Sequence, residues 1–96
     1  MIKHIVFFKL KDANEDNCQK AKEVLLSMKD NIDYLRGIEV GVDFLHSPRS
    51  FDIALSVILD DRDMLDVYQK DKYHCDVVKA HMHAVTEKSA AIDYEL

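Results

Sequence analysis

Of the five histidines in the chain, His4 stands in the least expected setting. In MIKHIVFFKLK, residues Ile2, His4, Val6, Phe8 and Leu10 alternate with Lys3, Ile5, Phe7 and Lys9. That is the period-two pattern of a strand, so an imidazole occupies an otherwise apolar face. Imidazole gains and loses its proton near neutral pH, which suits it to acid-base chemistry if the face borders a cavity. The same ring in a packed interior would only satisfy a buried polar partner. Both readings stay open at this point.

Other chemistry-bearing residues are excluded by spacing. His81 and His83 are two positions apart and diverge by about 200° around a helix, so they do not share an ion. His74 and His81 share a helix face but lie about 10.5 Å apart along its axis. Cys18 and Cys75 form no CxxC and no Cys/His zinc pattern, and Cys18 reads as a small apolar residue on a helix face. Reduced thiols and no metal are therefore expected. The carboxylates Asp12, Glu15, Asp16 and Asp60, Asp61, Asp63 fall where helices begin, and negative charge there complements the helix dipole. Arg49 is read as an exposed charge in a turn.

The elements that would hold these residues follow from periodicity. From about Asn14 to Leu35, residues Cys18, Ala21, Leu25, Met28, Ile32 and Leu35 form one helical stripe, widened by Val24. Its start is capped by Asp12 with Glu15 or by Asn14, and Gly37 is placed to end it in a left-handed cap. Alternation returns over 38 to 45, and again from Phe51 to Leu59, around the turn HSPRS. Asp60 and Asp61 then precede a short helix carrying Met64, Leu65, Val67 and Tyr68. After a polar break over 69 to 72, His74, Val78, His81 and Val85 fall on neighbouring helical turns. Ala90, Ile92 and Tyr94 make a last short strand.

The order β-α-β-β-α-β, with the second crossover split into two helices, is the α+β ferredoxin-like plan of an antiparallel sheet with helices on one face. At 96 residues, with two glycines and one proline, a single domain over 1–96 is expected. The far face of the sheet would carry Ile5, Phe7, Ala54, Ile58 and Ala91. A contiguous apolar patch of that kind marks an interface, so a homodimer joined sheet to sheet is expected. The formal charge of −5 argues against a nucleic-acid partner. No apolar run approaches the roughly 20 residues that span a bilayer. The start MIKHIV lacks the order of a secretion signal, so no membrane partner and a cytoplasmic location are expected.

The stretches IKHIVFFKLK, FDIALSVILDDRDMLDVYQKDKYHCDVV and AAIDYEL, together nearly the whole chain, resemble the stress-responsive A/B barrel (Dabb) family of dimeric α+β barrels. The resemblance implies a barrel closed by two subunits, with a pocket between helices and sheet in each. Among its enzymes are polyketide cyclases of the olivetolic acid cyclase type, which close a ring without a cofactor. Carried over, their catalytic Tyr and His fall on Tyr68 and His74, and their first-strand His on His4. Asp71-Lys72-Tyr73-His74 stands where the family has His-Pro-x-His, and Ile53 stands where the cyclases have a further His.

A pocket of this kind would take a small apolar or aromatic ligand against Phe8, Leu25, Met28, Ile53 and Tyr73, with Tyr34 and Tyr73 at its wall or its rim. His74 and His4 would then share a substrate proton, and Tyr68 would donate to a carbonyl or enolate oxygen. No cofactor is expected, since nothing beyond a histidine suggests a haem ligand. The alternative is a non-catalytic structural or stress-protective dimer with a vestigial pocket.

Overall fold

A computed structural model describes residues 1–96. Strand β1 spans Ile2–Leu10 and is followed by helices α1 (Glu15–Leu26) and α2 (Met28–Asn31). Strands β2 (Gly37–Val42) and β3 (Ile53–Leu59) come next. Helix α3 (Arg62–Lys70), a π-helical turn (His74–Lys79), helix α4 (Ala80–Val85) and strand β4 (Thr86–Glu95) complete the chain. The sheet is antiparallel with order β2-β3-β1-β4, the ferredoxin-like α+β arrangement. No helix is long and apolar enough to cross a membrane.

Register explains which face is covered. Ile2, His4, Val6 and Phe8 lie opposite Leu59, Val57, Leu55 and Ile53, and opposed residues share a face. All four β3 residues are buried beneath the helices together with Leu25, Met28, Tyr68 and Val78. The same rule corrects one expectation. His4 pairs with Asp93 and Val6 with Ala91, so Ala91 belongs to the helix side, and Ala90 and Ile92 belong to the open side.

The first long helix is interrupted. The Ser27 hydroxyl donates to the Val24 carbonyl at 2.6 Å and accepts from the Tyr73 hydroxyl at 2.6 Å, which places the break between α1 and α2 there. The chain leaves α2 through an extended Ile32, and no glycine has positive φ. Gly37 therefore begins β2 instead of capping a helix; a Cβ there would lie 3.2 Å from Ile58 Cδ1. Caps follow the sequence more closely. Asn14 Oδ1 accepts from Asn17 N at 2.8 Å, and Asp61 Oδ1 accepts from Met64 N at 2.9 Å. Asp60 instead pairs with Arg36 at 2.8 Å and 3.0 Å, and the guanidinium holds its carboxyl below the usual range.

Strand β2 stops at Val42, leaving Phe44 and Leu45 exposed in the connection. Strand β3 starts only after Asp52, whose buried carboxylate accepts from Leu10 N at 2.8 Å. The last strand is ten residues long, because it pairs with β1 along nearly all its length.

Candidate functional site

Three elements converge on Tyr68. Its ring lies near the end of α3 and is fully buried. His74, at the start of the π-helical turn, stacks on it with ring centroids 4.1 Å apart and planes inclined by 21°. His4 meets it edge-on from β1, with centroids 5.8 Å apart. The phenol thus lies between two imidazoles, both buried.

The chain's local structure fixes each ring. Helix α3 ends in carbonyls that no longer have a helical partner. His74 Nδ1 donates to the Tyr68 carbonyl at 2.9 Å, while Cys75 Sγ and Lys79 Nζ donate to the Gln69 carbonyl at 3.3 Å and 3.0 Å. Because a carbonyl only accepts, the His74 proton is on Nδ1 and Nε2 is the ring's free acceptor. Asp71 takes the N-capping role for the next segment. One oxygen accepts from His74 N at 3.0 Å and the other from the Tyr34 hydroxyl at 3.1 Å. The π-helical turn places His74, Val78 and Met82 inward, so Met82 takes the place that simple helical spacing gives to His81.

His4 is held by a residue that sequence reasoning missed. Asp93, opposite it on β4, accepts a close hydrogen bond from His4 Nδ1. The carboxylate fixes the ring's orientation and leaves Nε2 without a protein partner. The signal was present as a period-two relation, since His4 and Asp93 share a face once the phase of β4 is known.

Burial dominates the titration of the other two rings. It lowers the His74 pKa below 6.5, against the opposing effect of the hydrogen bond to Tyr68, so the ring is neutral at pH 7. Burial also raises the Tyr68 pKa well above 10, keeping the phenol protonated. Its hydroxyl donates to Met28 Sδ at 3.5 Å, a weak acceptor. Tyr34 is pushed up to about 12 by burial and by Asp71.

His4, Tyr68 and His74 line one cavity of about 250 Å³ between sheet and helices. Phe8 and Leu25 line it as well; Met28, Ile53 and Tyr73 do not. Met28 lies behind Tyr68, Ile53 is packed opposite Phe8, and Tyr73 is bonded to Ser27. The cavity is smaller than a typical drug site and suits a ligand of about ten heavy atoms. A neutral imidazole acceptor, a carboxylate-oriented imidazole and a protonated phenol can take a proton from a carbon acid and return it.

Solved structures share this architecture. A dimeric protein of unknown function with a ferredoxin-like fold from Bacteroides fragilis is 27% identical, with a TM-score of 0.79 over 99% of this chain and 95% of that one. A Dabb family protein from Mesorhizobium loti is 24% identical, with a TM-score of 0.77 over the same shares. A hydroxynitrile lyase from Passiflora edulis is 15% identical, with a TM-score of 0.81 over 99% of this chain and 92% of that one. No curated protein matches the chain in sequence. The profile of the stress-responsive A/B barrel domain matches residues 2–96, and the chain belongs to that family.

Proposed function

We propose that this chain acts as a homodimer that binds a small apolar or aromatic molecule in each subunit and moves a proton on it without a cofactor. The observation that carries this reading is the pair of imidazoles, each tied through Nδ1 to a fixed acceptor, lining a common cavity with Nε2 free. Neutral His74 takes the proton at Nε2 and returns it from the same nitrogen, His4 with Asp93 is the second acceptor with which that proton is shared, and the Tyr68 ring packs between the two imidazoles with its hydroxyl on Met28 Sδ. Dimerisation is supported by the open sheet face. Phe7, Ile92 and Tyr94 are exposed there on a single chain, and the Bacteroides structure with the same fold is described as dimeric.

Deuterium uptake at the methyl group of acetophenone in D2O tests the chemistry, read by proton NMR. Asparagine places an amide nitrogen where histidine has Nδ1 and removes Nε2, so His74→Asn and His4→Asn keep the structural bonds. Uptake accelerated by the wild type and lost in both variants is the expected result. Cavity resonances that shift with acetophenone without faster uptake would leave a binding protein; neither effect would leave the structural dimer. That second reading has its own support, because His74 Nδ1 closes the end of α3 and the Tyr68 hydroxyl is directed at Met28.

A further inference from the structure

The cavity beside His74 has a charged side as well as an imidazole side. Apart from the two histidines and the phenol, Lys79 is its only ionisable lining residue. The rest of the wall is mainly aliphatic and aromatic, including Val6, Phe8, Leu25 and Val78. Lys79 Nζ donates to the Gln69 carbonyl at 3.0 Å, which uses one of its three donors and holds the amine beside the π-helical turn. It takes part in none of the chain's ion pairs. In a chain with formal charge −5, this is a cation without a carboxylate at an apolar cavity.

The neighbouring groove continues the pattern. It has a volume of about 480 Å³, shares Phe8, Lys79 and Met82 with the cavity, and extends to Lys11 and Thr86. Glu87 is its one carboxylate. Lys88 borders the groove too, but its amine lies 5.8 Å from the Phe51 ring. Lys11 donates to the Ala84 carbonyl at 3.2 Å. Among the basic residues, Lys79 alone therefore lines both spaces.

We propose that the ligand is a small apolar or aryl carboxylate, with its carboxylate on Lys79 and its apolar body inside the cavity toward His74. This rests on the proposed small-molecule reading and adds the charge of the ligand to it. A fixed ammonium discriminates an anion from its neutral isostere, while the apolar wall recognises the body common to both.

The test is a matched pair, 3-phenylpropanoate and 3-phenylpropanamide, titrated into the full chain at pH 8 and low salt with amide NMR shifts as the readout. The wild type is expected to bind the acid about three- to fivefold more tightly, the upper part of the range for a solvent-accessible ion pair. Lys79→Met should bring the two probes to equal affinity, whereas Lys79→Arg and Lys11→Met should keep the preference. Equal affinities in the wild type, or a preference that survives Lys79→Met, would overturn the assignment while leaving a site for neutral molecules. No shift at cavity residues with either probe would overturn the small-molecule reading and this inference with it.

Discussion

His74→Ala and His74→Asn separate the architectural part of His74 from the rest of the ring. Alanine removes the Nδ1 bond to the Tyr68 carbonyl, which is left with Asp71 N at 3.2 Å, and also the stack on Tyr68. A net hydrogen bond contributes about 1 kcal/mol and an aromatic stack about 1 kcal/mol. The void joins an existing cavity that water can enter, so the further packing loss is modest and the total comes to about 2–3 kcal/mol. Asparagine keeps the bond and loses the stack, for about 1 kcal/mol. Urea unfolding followed by circular dichroism, at pH 8 and fixed protein concentration, resolves this difference. With a slope of about 1.5 kcal/mol/M, the midpoint should fall by about 1.5 M for alanine and about 0.7 M for asparagine. Equal losses for the two variants would refute the claim that Nδ1 closes the end of α3.

Stability should follow pH in a dome. The folded His74 pKa lies below 6.5, so as pH falls through 6.5 the unfolded chain takes up a proton that the folded chain refuses, and stability is lost; His74→Asn should flatten that limb. Tyr34 is displaced upward from 10 to about 12, so stability present below pH 10 is lost between those values as the unfolded phenol ionises first, and Tyr34→Phe should reduce that loss. Urea midpoints from pH 5 to 11 check both limbs, and a flat profile would contradict them. Phe7→Asp alters a residue that is 40% exposed on one chain and paired with Ala54 and Ala90 on the open face. A lone subunit should tolerate it, whereas a sheet-to-sheet dimer would enclose unpaired charges at a cost of about 3–5 kcal/mol. Sedimentation velocity should show monomer, and an intact dimer would exclude that interface.

Strands β1 and β3 were legible because their buried residues are large and their period is unambiguous. The phase of β4 was not. Ala90 and Ala91 are adjacent and equally small, so the local sequence carries no contrast between the two faces. Pairing with β1, more than eighty residues away, sets that phase. Asp93 was missed for the same reason: on its own it reads as a polar residue near a chain end, and only the register opposite His4 makes it the acceptor for that ring. The inward direction of His4 was readable because it depends on β1 alone.

The turn around His74 shows why the position of a histidine was readable and its surroundings were not. The six-residue interval from Tyr68 spans the end of α3 and the entry to the π-helical turn. It closes because the imidazole bonds back to the carbonyl of the residue it stacks on. Asp71, which stands where the family pattern has a histidine, does different work in the same place. Its carboxylate caps the amide of His74 and accepts from Tyr34, tying the second crossover to the segment after α2. A histidine there would offer the capping amide one ring nitrogen at most, without the carboxylate's charge or its second oxygen for Tyr34. The substitution therefore removes an imidazole and adds an anchor. In the proposed chemistry, acid-base work therefore falls to His74 and to His4 with its own carboxylate, brought by β4 from the other end of the sequence.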